Sequence, residues 1–117
     1  MEKDKTCKIV FSDIDGTLLT SDGQITEGTK EMILNLEKKG IPFILTSARS
    51  PEGVRVIKRM LGNHAPIIAF CGGLILDNDG NEIYSKMIPL KRALELKAML
   101  DKDFPAVACN TFGGEKW

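Results

Sequence analysis

Apolar residues in this chain come in short β-branched runs, and the stretches between the first three of them have helical period. Ile9-Val10-Phe11 leads up to Asp13 as a run that reads as a buried strand. A loop from Thr20 to Ile25 contains Asp22-Gly23, and Thr26 then stands where a helix N-cap belongs. Met32, Ile33 and Leu36 form the expected apolar face of that helix, and Gly40 closes it. Pro42-Phe43-Ile44-Leu45-Thr46 predicts a second buried strand. Ser50-Pro51-Glu52 opens a second helix with a capping serine, a proline at N1 and an acid in the first turn. Its apolar positions are Val54, Ile57, Met60 and Leu61, and Gly62 ends it. Pro66-Ile67-Ile68-Ala69-Phe70 predicts a third strand. Strand–helix–strand–helix–strand with short connections predicts a parallel sheet with right-handed crossovers. Two short runs, Leu74-Ile75-Leu76 and Glu82-Ile83-Tyr84, flank an Asp-Gly pair and predict a hairpin over 74–86. A helix from about Leu90 to Lys102, a short strand Ala106–Asn110 and a Gly113-Gly114 turn complete the chain.

Composition narrows the class. With 117 residues, 43% of them hydrophobic and 27% charged, the chain suits one small soluble domain. Sixteen basic residues balance sixteen acidic ones, which argues against a nucleic-acid or polyanion partner. No apolar stretch has membrane-spanning length, and the opening Met-Glu-Lys-Asp-Lys lacks a signal peptide's apolar core. Cys7, Cys71 and Cys109 are odd in number and far apart, so they read as reduced thiols of a cytoplasmic protein. His64, the single histidine, reads as a loop residue beside Gly62-Asn63.

Chemistry concentrates where the first strand ends, at Asp13-Ile14-Asp15-Gly16-Thr17-Leu18-Leu19. Strand residues two apart share a face, so an extended chain here would project both carboxylates together from the strand's carboxyl end. Open α/β sheets bind ligands there. Gly16 permits a sharp turn with N–H groups close to an anion, and Thr17 adds a hydroxyl. Two neighbouring carboxylates repel unless a hard cation such as Mg²⁺ holds them ionised, and that cation would also neutralise an arriving phosphate. One aspartate can then attack phosphorus while the other moves the proton. A second copy, Asp77-Asn78-Asp79-Gly80, lies between the hairpin strands and reads as a turn only. Neither copy is an EF-hand loop, because the obligatory glycine is replaced by Leu18 in one and Glu82 in the other.

The run at 9–19 resembles the first motif of the haloacid dehalogenase superfamily, an apolar strand followed by D-x-D-G-T-L/V. The resemblance implies a Rossmann-like three-layer core with a parallel sheet and an inserted α+β cap. It implies that Asp13 is a nucleophile forming an aspartyl-phosphate and that Asp15 is the general acid/base. Mg²⁺ would be held by the Asp13 carboxylate and the Asp15 backbone carbonyl. Thr46-Ser47-Ala48-Arg49-Ser50 leaves the second strand and enters a helix N-terminus, a natural anion site. The Cof-type sugar-phosphatase branch carries T-G-R here. Aligning Arg49 with that arginine makes Ser47 the phosphate ligand, Ala48 the replacement for glycine, and Thr46 the fallback. Cys71-Gly72-Gly73 stands where that branch shows N-G-A. Cys71 does not fit a tyrosine-phosphatase nucleophile, since Asp77 occupies the position that needs arginine; it reads as a buried or semi-buried structural thiol.

By the same resemblance the chain carries the N-terminal part of the core over 1–86 and the opening of a cap over 87–117. The stabilising lysine and the late acidic motif would lie beyond Trp117. Two functions stay open. One is a Mg²⁺-dependent phosphohydrolase of small, sugar-phosphate-like metabolites, with phosphomutase and phosphonate chemistry as lesser variants. The other is a catalytically incompetent piece that binds phosphate or metal, or serves as an interaction module. A first strand left at the sheet edge would also favour self-association.

Overall fold

A computed structural model describes residues 6–113, which divide into two compact units between Ser85 and Lys86. The first contains β1 (Val10–Asp13), α1 (Glu27–Lys38), β2 (Phe43–Thr46), α2 (Pro51–Leu61), β3 (Ile67–Ala69), β4 (Leu74–Leu76) and β5 (Glu82–Ser85). A 3-10 turn at Phe70–Gly72 joins β3 to β4. The sheet order is β1-β2-β3-β4-β5; pairing is parallel from β1 to β3 and antiparallel from β3 to β5. The predicted α/β class, the parallel strands and the hairpin are all found.

Local chemistry explains the element boundaries. The Thr26 side chain accepts the Thr29 N–H at the start of α1, and Ser50 Oγ accepts the Gly53 N–H at the start of α2. Such caps satisfy donors that a helix end leaves open. Gly62 ends α2 at φ 79°, donating its N–H to the Lys58 carbonyl. Val54, Ile57 and Leu61 turn inward as predicted, with Met60 packed beside them. On α1 only Ile33 is buried, with Leu36 packed against the core. Met32, expected on the same face, is 64% exposed, because one residue along a helix rotates the side chain by about 100°.

β2 is covered on both faces: Phe43, Ile44 and Leu45 are all buried, as a continuous apolar run requires. β1 differs. Among the described strands it pairs with β2 alone; it alternates half-buried and exposed residues and leaves Phe11 58% exposed at the sheet edge. The core unites Ile14, Leu45, Val54, Ile57, Leu61, Ile67 and Leu76. Burying each of the larger side chains among them contributes about 1.5–3 kcal/mol.

In the second unit, α3 (Leu90–Asp103) carries the ion pairs Arg92–Glu95 and Lys97–Asp101, and no described residue of it is buried. The strand expected over Ala106–Asn110 does not form. Val107 N–H turns back to the Phe104 carbonyl, and a lone extended segment without a partner gains no ladder bonds. Gly114 of the expected Gly-Gly turn lies outside the described residues. Among them, no helix is long and apolar enough to cross a membrane.

Candidate active site

Register brings the strand ends level. Asp13 pairs with Thr46 and Thr46 with Ile68, so β1, β2 and β3 finish side by side at their carboxyl ends. The chain does not stay extended past Asp13, as the i, i+2 alternation assumed. The Ile14 carbonyl accepts N–H groups from Thr17, Leu18 and Leu19, and Gly16 adopts φ +71°. Ile14, fully buried, and the partly buried Leu18 and Leu19 anchor this turn in the core. Asp15 and Thr17 therefore sit exposed on a turn beyond the strand. The competition was between strand alternation and a glycine that admits left-handed backbone, and the turn won.

Asp13 is exposed, and its Oδ1 accepts the Ile14 N–H at 2.8 Å. Asp15 meets Arg49 across a sequence separation of 34 residues. Arg49 donates Nε–H to Oδ2 at 2.9 Å and Nη2–H to Oδ1 at 2.6 Å. This fork-to-carboxylate geometry is the strong form of an ion pair. The Arg49 hydrogen bond holds the Asp15 carboxyl below the usual carboxylate range, outweighing the opposing cost of desolvation, and Asp15 raises Arg49 in return. Ser47 is buried at 6% exposure. Its N–H reaches the Ile68 carbonyl at 3.0 Å, its carbonyl accepts the Cys71 N–H at 2.9 Å, and its Oγ accepts the Arg49 N–H at 3.1 Å. Ala48, between them, is exposed.

The loop after β3 braces this one. Phe70 N–H donates to the Arg49 carbonyl at 3.0 Å. Phe70 and Cys71 take φ 50° and 53°, left-handed values that cost non-glycine residues about 1–3 kcal/mol each. Cys71 is exposed, contrary to the expected buried or semi-buried structural thiol, because the turn carries it out of the sheet. His64 is an exposed loop residue as expected, its Nδ1 at 3.2 Å from Glu37 Oε1.

Asp13 and Asp15 supply the hard oxygen donors that suit Mg²⁺, a cation that keeps several waters. Arg49 occupies the Asp15 carboxylate, which leaves the Asp13 carboxylate and main-chain carbonyls as the oxygen donors for a cation. Among the described residues no group of three or more His, Cys, Asp or Glu side chains converges on a metal position. A cavity of about 370 Å³ lies elsewhere, lined by Arg55, Lys58, Asn63, Asp77 and Asn78. There, burial lowers the Lys58 ammonium, which donates to Ala65 O and Asn78 Oδ1.

The carboxyl ends of β1 and β2 thus gather an aspartate pair, a buried serine and an arginine, at the end of an open α/β sheet where such folds bind ligands. Residues 10–117 match the model of the haloacid dehalogenase-like hydrolases, and the chain belongs to that family. It is 40% identical over 105 residues to a Haemophilus influenzae protein named "Putative phosphatase", covering 90% of this chain and 40% of that protein. It is 38% identical over 74 residues to a phosphoglycolate phosphatase of Thermoplasma volcanium, covering 63% of this chain and 33% of that one. The fold superposes on a haloacid dehalogenase-like hydrolase from B. subtilis with TM-score 0.74 and 27% identity, covering 82% of this chain and 34% of the other. The chain thus spans about two fifths of the length of the first of these relatives.

The Asp15–Arg49 pair was not legible in the sequence. Each residue stood out by its motif, but nothing in either motif states that a guanidinium and a carboxylate so far apart in sequence will meet.

Proposed function

We propose that the protein is a Mg²⁺-dependent phosphohydrolase of small phosphorylated metabolites, sugar phosphates among them, acting through an aspartyl-phosphate on Asp13. The observation that carries this reading is the contact of Arg49 with Asp15, which joins the exit of β1 to the phosphate-binding loop after β2. The Asp13 oxygen that is not engaged by the Ile14 N–H attacks phosphorus, and the departing alkoxide takes a proton from Asp15, whose carboxyl can carry one only once the Arg49 fork has left it. Water then attacks the acyl phosphate, Asp15 takes the water's proton, and inorganic phosphate and free Asp13 result. The Ser47 Oγ already accepts the Arg49 N–H, which leaves its own hydrogen to donate to a phosphoryl oxygen. Gly16 and Ala48 complete the cradle with main-chain N–H groups, and Thr17 with its hydroxyl. Bound by the Asp13 carboxylate and the Asp15 carbonyl, Mg²⁺ would neutralise phosphoryl charge.

In this reading, 1–86 is the N-terminal part of the core and 87–117 the beginning of a cap, in a cytoplasmic enzyme with free thiols. The outer edge of β1, beside which no other described strand lies and where Phe11 is exposed, is the surface on which a second copy would pair. The test is chemical trapping in the shortest chain that turns over p-nitrophenyl phosphate. Borohydride reduction during steady-state hydrolysis converts an aspartyl-phosphate to homoserine, expected at position 13. Turnover with no homoserine there overturns the reading.

A further inference from the structure

Arg49 stands in two demands at once. The phosphohydrolase reading, on which this inference rests, asks it to meet phosphoryl oxygens and asks Asp15 to exchange protons, yet the two residues hold each other bidentately. Both polar groups of the Arg49 main chain are fixed: its N–H on Ser47 Oγ at 3.1 Å and its carbonyl on Phe70 N–H at 3.0 Å. Only the side chain is left to move. The pair is exposed, with relative side-chain accessibilities of 35% for Arg49 and 60% for Asp15. Solvent at so exposed a pair screens even this favourable geometry, whereas a phosphate dianion offers the same fork more charge and more acceptor oxygens.

Beneath the arginine lies Gly53, in the first turn of α2. A Cβ there would stand 3.1 Å from Arg49 Cβ and 3.5 Å from its Cδ. Gly53 has no positive φ that would call for glycine, and glycine inside a helix is weaker than alanine. The missing Cβ is what lets the arginine stem lie along the helix.

We propose that Arg49 is a shared cationic ligand, parked on Asp15 in the empty site and transferred to the phosphoryl oxygens when a phosphate monoester enters, with Gly53 as the positioning residue that gives its side chain the room to reach both. Asp15 is thereby freed from its cation only when substrate is present. The exchange moves no covalent bond; it is one set of charge-assisted hydrogen bonds replaced by another.

The test titrates the chain with inorganic phosphate and follows the Ser47 and Thr17 amides together with the Arg49 Nε–H signal by NMR. The expected result is a saturable shift of the amides, with loss at the same midpoint of the coupling across the Arg49 Nε–H to Asp15 carboxylate bond. Shifted amides with that coupling intact overturn the shared ligand and leave the phosphate site standing. No saturable shift removes the phosphate site itself, and the inference with it. Gly53→Ala then reads the positioning role. Its unfolding temperature should hold or rise, while phosphate affinity falls by about two- to five-fold, the range an exposed ion pair commands. A merely structural glycine would leave phosphate affinity unchanged. The wild-type titration decides the exchange whether or not that variant folds.

Discussion

The chain contains the same pattern twice, Asp13-Ile14-Asp15-Gly16 and Asp77-Asn78-Asp79-Gly80, and the two copies end differently. In the second, the carboxylate is turned onto its own loop: Asp77 Oδ1 accepts N–H groups from Asp79 and Asn81, and Oδ2 accepts from the Asn81 amide. Gly80 at φ +89° returns the chain to β5. In the first, Asp13 accepts one adjacent N–H, and Asp15 reaches a guanidinium from another strand's exit. A buried Ile14 and two leucines packed on the core replace the returning strand. Asp-x-Asp-Gly becomes a turn where its acceptors are filled locally. It becomes a candidate site where tertiary neighbours supply the partners and the strand ends are shared.

The largest effects should separate the copies by function. In the shortest chain that turns over, Asp13→Asn is expected to abolish Mg²⁺-dependent hydrolysis of p-nitrophenyl phosphate, because a neutral amide is a very poor nucleophile, whereas Asp77→Asn should leave turnover unchanged. Equal loss in both would erase the distinction. Next in size, Asp15→Asn should slow the proton-transfer steps by roughly 10²–10⁴-fold with substrate binding retained, and Asp79→Asn should not. Pre-steady-state kinetics on both variants checks this.

A smaller effect should be common to the copies. Gly16 and Gly80 both adopt positive φ, so an alanine at either should destabilise folding by about 1–2 kcal/mol in denaturant titration. Only Gly16→Ala should also disturb phosphate binding. The smallest effect concerns acid. Asp77 is held below the ordinary carboxyl value of 3.8 chiefly by hydrogen bonds from Asn81, and Asp15 chiefly by Arg49. A depressed folded-state value adds stability that is full above the unfolded value and lost as pH falls through the folded one. Asp77→Asn and Asp15→Asn should each flatten stability below about pH 4. High salt should shrink only the Asp15 share, since an exposed ion pair is screened and hydrogen bonds from neutral donors are not. Thermal unfolding at two salt concentrations would show it.

Much of the architecture was written in local pattern. The capping residues Thr26 and Ser50, the left-handed Gly62 and the doubly buried run of β2 announce their elements, because a cap, a turn and a two-faced strand each depend on a few adjacent residues. The first aspartate motif was legible for the same reason. What local pattern could not decide was whatever needed a partner. Met32 against Ile33 on α1, the missing strand at 106–110 and the exposed thiol of Cys71 each depend on which surface lies nearby. The pairing of Arg49 with Asp15, the seat that Gly53 makes for it and the brace from Phe70 depend on three strand exits finishing level. Propensity and spacing act over one or two turns of chain, so the sequence by itself determined the elements and the residue types at the site. Only packing brings 13, 15, 47 and 49 to one place, and so only the tertiary structure decided which carboxylate meets the cation.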